Sequence, residues 1–157
     1  MQHYRNLFHN NKLNIHQLFI NIEECITDNR VTIGNMKIYT TFERHLLKAL
    51  KLAYDMKLKL YFYTYSNLHK SNFDTFYYRL PYVSNRQVLS KDETFEHIYQ
   101  TLLTNDSLIL DTKKYNTDIP TIKPNNGISS HSDIYTSNIK NGDGFLYDIV
   151  SHLYRNK

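Results

Sequence analysis

The chain has 157 residues, 41% of them hydrophobic and 22% charged, with a formal net charge of +4. That is ordinary for one globular domain with a real core, and it mildly favours polyanionic partners. The one cysteine, Cys25, excludes an internal disulfide or a cysteine-based metal cluster, and no apolar run approaches the roughly 20 residues that cross a bilayer.

Residues 1–35 read as an N-terminal extension. Leu13, Ile15, Leu18, Phe19 and Ile22 have roughly helical spacing, which predicts a helix over 14–26. Residues 28–34 read as a turn with a short extended piece. Residues 1–12 lack the apolar core of a secretory signal, and Glu23 and Glu24 do not suit a transit peptide, so the expectation is a protein that works where it is made.

Residues 36–112 read as one β-α-β-β-α-β unit. A short strand at 36–40 leads to a helix over 41–56, with an apolar stripe of Leu46, Leu47, Leu50, Ala53 and Tyr54. Arg44, Lys48 and Lys51 form a separate cationic stripe. The next strand, 58–65, alternates Leu58, Leu60 and Phe62 with Lys59, Tyr61 and Tyr63. Residues 73–80 are equally aromatic, and the polar connection 66–72 predicts an antiparallel hairpin between the two. Ser90-Lys-Asp-Glu93 is a capping box that opens a predicted helix over 90–104, and Ser107 to Asp111 reads as a short buried strand.

Residues 113–157 read as a C-terminal extension, irregular as far as Gly144. A terminal helix then follows, because Leu146, Ile149, Val150 and Leu153 recur at i, i+3, i+4 and i+7.

Motifs for chemistry are sparse. None of the eight histidines is paired at the i, i+4 spacing of a helical zinc site. The chain has no Gly-x-Gly-x-x-Gly and no Gly-Lys-Ser/Thr loop to cradle a nucleotide. His69-Lys-Ser71 and His131-Ser-Asp133 sit in polar loops and do not make the matched strand pair of a two-histidine phosphoesterase. The reading is therefore no enzyme, no metal and no cofactor. The positive signal is for RNA. Lys and Arg attract phosphate, and Tyr can stack on unpaired bases. The candidate RNA-binding residues are Arg44, Lys48 and Lys51 on the helix, with Arg79, Tyr82, Asn85, Arg86 and Lys91 in the dense connection that follows the hairpin.

That connection carries a resemblance. Met36-Lys-Ile-Tyr39, Arg44-His-Leu-Leu47 with Lys51-Leu52, Arg79-Leu-Pro-Tyr-Val-Ser-Asn-Arg86, Ser90-Lys91 and Phe95-Glu96 together resemble the tenth-protein family of the small ribosomal subunit. The resemblance implies a ferredoxin-like α+β sandwich in the head of the small subunit. Its partners would be ribosomal RNA and neighbouring small-subunit ribosomal proteins, with no membrane and no small-molecule substrate. Its role would be structural. The 14 Tyr, no Trp and abundant Asn, Lys and Ile are what A/T-rich codons supply, which fits an organelle-encoded mitochondrial protein; a G/C-rich gene would exclude that source. The alternative expectation is a non-ribosomal viral or parasite protein-interaction module of α/β fold.

Overall fold

Five strands of this chain build one sheet in which every pairing is parallel. They are β1 (Gln17–Asn21), β4 (Lys59–Tyr63), β5 (Ser107–Leu110), β6 (Thr121–Lys123) and β7 (Tyr135–Thr136), in the spatial order β4-β1-β5-β6-β7. The computed structural model describes residues 3–10, 14–26, 30–33, 36–39, 45–63, 82, 102–125 and 134–156. Two further strands, β2 (Arg30–Ile33) and β3 (Met36–Tyr39), pair antiparallel in a separate ribbon. The described helices are α1 (Tyr4–Asn10), α2 (Ile22–Cys25), α3 (Leu46–Asp55) and α4 (Phe145–Arg155).

This is not the ferredoxin-like sandwich that the sequence suggests. In that sandwich the strand at 36–39 would open the sheet and the Tyr-rich strand would sit in an antiparallel hairpin. Here β3 belongs to the separate ribbon, and β4 lies parallel to β1, with Gln17 opposite Lys59 and Asn21 opposite Tyr63. The predicted partner strand at 73–80 and the capped helix at 90–104 fall almost wholly outside the described residues.

The predicted helix over 14–26 is corrected too. Its middle is β1, and only the single turn α2 is helical. The reason is burial on both faces. Leu18, Phe19 and Ile20 are all fully buried. Parallel strands covered on both sides read as unbroken apolar runs rather than as alternation, and such a run also satisfies a loose helical template. Each of these side chains contributes about 1.5–3 kcal/mol when removed from water.

The strand period divides those contributions between two layers. Leu18 and Ile20 point with Leu60, Phe62, Leu108, Leu110 and Ile122 into a large core roofed by α1, α3 and α4. Phe19, Tyr63 and Ile109 face the other way, against Leu102, Leu103, Tyr115 and Ile119. The predicted stripes of α3 and α4 build the large core and pack on each other. Leu46, Ala49, Leu50 and Ala53 of α3 are buried, whereas Leu47 and Tyr54 from the expected stripe stay exposed. All four predicted apolar positions of α4 are buried, joined by Phe145.

Gly144 fixes how α4 begins. Its φ of 96° lies in the left-handed region, and a Cβ there would stand 2.8 Å from Cδ2 of His45, so neither backbone nor space admits a side chain. At the opposite edge of the sheet, the Gln17 amide donates to the carbonyl of Leu102 (2.7 Å), Oγ1 of Thr104 (3.2 Å) and Oγ of Ser107 (2.6 Å). That ties β1 and β5 at their starts to the chain that enters β5.

Candidate active site at the carboxyl edge of the sheet

In open parallel α/β sheets, ligands bind in the crevice beyond the carboxyl ends of the strands. The register of this sheet places one transverse row there. Asn21 pairs with Tyr63, and Ile20 pairs with Leu110, so Asp111 follows beside Asn21. Leu110 pairs with Ile122, so Lys123 follows beside Asp111, and Lys123 pairs with Thr136. Across the sheet the row reads Tyr63, Asn21, Asp111, Lys123, Thr136.

Four of these five residues are buried: Tyr63, Asn21, Asp111 and Lys123. Burying charge is expensive unless it is paired and hydrogen-bonded, so the partners matter. Oδ1 of Asp111 accepts the backbone N–H groups of Thr112 (2.6 Å) and Lys113 (3.1 Å). Oδ2 accepts the hydroxyl of Tyr115 at 2.8 Å and, in a short bond, the hydroxyl of Tyr63. A carboxylate offers about four lone-pair sites, and these four donors fill them. Oδ1 of Asn21 accepts the backbone N–H of Glu24 at 2.9 Å, which caps α2. Tyr115 is only half-buried, so it links the buried carboxylate to the surface.

No protein-family model and no curated protein matches the chain. Solved structures do. A 3-deoxy-D-manno-octulosonate 8-phosphate phosphatase from Moraxella catarrhalis, in complex with magnesium, phosphate and KDO, superposes with a TM-score of 0.70 at 11% identity, covering 97% of this chain and 92% of that one. The fold is HAD-like. A HAD-superfamily (subfamily III A) hydrolase from Legionella pneumophila gives 0.66 at 12% identity, covering 91% of this chain and 84% of its own. The cobalt-bound deoxy-D-mannose-octulosonate 8-phosphate phosphatase from Haemophilus influenzae gives 0.65 at 9%, with 91% and 89% covered.

These findings overturn the ribosomal reading. The neighbours are phosphatases and a hydrolase rather than ribosomal proteins, so the structural role, the ribosomal RNA and ribosomal-protein partners and the expectation of no enzyme all fall with it. The Moraxella catarrhalis and Haemophilus influenzae neighbours are named as phosphatases of a small sugar phosphate, against the expectation of no small-molecule substrate. The mitochondrial placement, drawn from the ribosomal resemblance with the A/T-rich composition and the lack of a transit peptide, falls as well, since the neighbours are bacterial phosphatases and a bacterial hydrolase. The alternative of a non-ribosomal α/β protein fits the architecture better, without specifying a function.

Of the predicted RNA-binding residues, Lys48 and Lys51 are exposed on α3. Tyr82 is exposed, with its ring 5.4 Å from that of Tyr54. Arg44, Arg79, Asn85, Arg86 and Lys91 lie outside the described residues. The sequence reading missed Asn21, Asp111 and Lys123. The signal it could have used for two of them is an apolar run ended by a polar residue, Leu18-Phe-Ile-Asn21 and Leu108-Ile-Leu-Asp111; Lys123 follows a single apolar residue and carries no such mark.

The magnesium and cobalt of the neighbours invite a fit test. A divalent ion of this kind is held by carboxylate and carbonyl oxygens, with Mg²⁺ demanding octahedral geometry at about 2.0–2.1 Å. The described part of the row supplies one carboxylate, already saturated with donors, between an amide and a buried ammonium. Among the described residues no group of three His, Cys, Asp or Glu could hold a metal ion. These side chains do not fit a magnesium site.

Proposed function

We propose that this protein is a phosphoester hydrolase that takes a small phosphorylated molecule at the carboxyl edge of its sheet. The observation that carries the reading is the Asn21–Asp111–Lys123 row, which lies where a parallel sheet receives ligands. Near full-length likeness in fold to phosphatases supports it. Lys123 supplies a cation for the phosphoryl charge, with the electrostatic benefit that a largely water-excluded place confers. Asp111 and Tyr115 supply a proton path. Water attacks phosphorus as the bond to the ester oxygen breaks. The proton of the water passes to Oη of Tyr115 while the Tyr115 hydroxyl proton passes to Oδ2 of Asp111. The departing oxygen takes a proton from solvent. Each step moves one proton and conserves charge, and none passes through a metal.

The test is phosphate release from a panel of small sugar phosphates. Release above the protein-free rate is expected, falling at least tenfold in Lys123→Met and in Tyr115→Phe while circular dichroism stays unchanged. No release from any member of the panel overturns the reading.

A further inference from the structure

We infer that the groove between α1 and α4 is an anion site built for a phosphate group, apart from the carboxyl-edge row. It shares no residue with that row and does not depend on the hydrolase reading. The two helices lie side by side and run the same way. The Tyr4 hydroxyl donates to Oδ2 of Asp148 (2.9 Å), and one turn further the rings of Phe8 and His152 stand 5.1 Å apart. Arg5 of α1 and His152 and Arg155 of α4, with Asn156, line a cavity of about 330 Å³ there. That volume lies at the lower end of the about 300–1,000 Å³ of small-molecule pockets. In residues 1–22 and 145–157 the only carboxylate side chain is that of Asp148.

Asp148 leaves these cations available. Its Oδ2 accepts the hydroxyls of Tyr4 and Ser137, and its Oδ1 lies 4.0 Å from Nη2 of Arg5, beyond a hydrogen bond. The Arg5 side chain is 53% exposed, where such a pair is worth little. Arg155 is exposed and engages only Nε, on the carbonyl of Ser151 (3.4 Å), so its Nη groups have no protein partner among the described residues. The helix dipole accounts for His152 and Arg155 in the last turn of α4, but not for Arg5, which comes from another helix. Each guanidinium fork offers paired N–H donors, and a carboxylate has only two oxygens to divide between two forks. A phosphate monoester presents three acceptor oxygens and carries about −1.5 to −2 charge at pH 7. His152 reports that both arginines act on one place. Burial first, then the charges of Arg5 and Arg155, with a smaller push from His3, lower its pKa against the pull of Asp148. The neutral ring keeps one nitrogen able to accept the proton of a singly protonated phosphate.

The experiment follows the imidazole C–H signals of His152 in the purified chain by NMR between about pH 5 and 8, assigned by their loss in His152→Gln. Inorganic phosphate is titrated in and, separately, methylphosphonate, whose carbon–phosphorus bond ester hydrolysis leaves intact. These signals belong to the groove rather than to the row, so a failed phosphate-release assay leaves the result standing. Saturable binding is expected, and it should raise the pKa of His152, because the bound charge offsets those of Arg5 and Arg155. Both arginines are exposed, so Arg5→Met and Arg155→Met should keep the native circular dichroism while each weakens binding at least about tenfold. Arg155→Lys, which keeps the charge without the fork, should weaken it less. Methylphosphonate binding as tightly as phosphate would support a phosphoryl group carried by a small molecule; phosphate binding alone would support the free ion. The inference is overturned if neither probe moves the His152 signals, if acetate binds as tightly as phosphate, or if binding survives the loss of both arginines.

Discussion

The two edges of the sheet are built from the same strands with opposite chemistry. At the amino edge, Gln17 of β1 donates to a carbonyl and two hydroxyls, and one of these, Thr104, donates in turn to the exposed carboxylate of Asp106. At the carboxyl edge, four residues later on the same strand, Asn21 lies in a row with a buried carboxylate and a buried ammonium. Both positions carry a buried amide. What differs is the company: neutral groups in direct contact with Gln17, against a buried carboxylate and a buried ammonium in the row of Asn21, linked to the surface through Tyr115. A buried amide is therefore structural or functional according to the charges beside it, and its residue type alone does not say which.

The sharpest way to break that contrast is Asp111→Ala. It strips four hydrogen bonds from the carboxyl edge and leaves the hydroxyl of the buried Tyr63 without its acceptor. Hydrogen bonds to charged groups are worth about 1.5–3 kcal/mol each, so a loss of about 3 kcal/mol or more in urea unfolding is expected. Phosphate release should fall to the protein-free rate. Gln17→Ala is the matched change at the amino edge. It should cost about 1–3 kcal/mol by leaving polar groups unpaired, yet leave phosphate release unchanged in conditions where the chain stays folded. If release falls as much as in Asp111→Ala, the two edges are not functionally distinct.

Gly144→Ala supplies a destabilised control with both edges intact. The left-handed backbone costs an alanine about 1–2 kcal/mol, and the approach to His45 adds to it. A lower melting temperature with unchanged release per folded molecule is expected.

The smallest effect concerns pH and lies outside both edges, where Asp148 accepts the hydroxyls of Tyr4 (2.9 Å) and Ser137 (2.9 Å). Burial, then the charges of Arg5 and Arg155, lowers the pKa of His152; burial and Arg5 lower that of His3. A histidine whose folded pKa is depressed binds fewer protons folded than unfolded. Stability is then full above the unfolded value near 6.5 and declines as pH falls through and below it. His152→Gln should flatten the drop in melting temperature between about pH 7.5 and 5.5. A steeper drop in the variant would reverse the assignment.

Much of the fold was legible where one face of an element is wet. The stripes of α3 and α4 were visible because period and burial agree, and β5, dry on both faces like β1, was found as a short apolar run because its neighbours do not extend that run to a helical spacing. β1 was misread because both of its faces are dry, which erases the alternation that marks a strand. β6 and β7 have three and two residues, too few to show any period, and Pro120 and Pro124 flank β6 with the signature of a loop. The row was illegible for a different reason. Asn21, Asp111 and Lys123 are brought together by strand register, so no local spacing marks them. The basic, Tyr-rich connection drew attention instead because its residues are close in sequence.

The position of β1 between β4 and β5 also sets the order in which the protein can be made. Its partners begin 42 and 90 residues downstream, at Lys59 and Ser107 against Gln17. A ribosome adds about 5–20 residues per second, so Leu18, Phe19 and Ile20 wait several seconds before both neighbouring strands exist. Parallel pairings over such separations must meet their loop-closure cost before they return any contact energy, and they form late. A strand buried along its whole length in the finished molecule is thus the one that waits longest for its neighbours during synthesis, and a holdase chaperone would act there first.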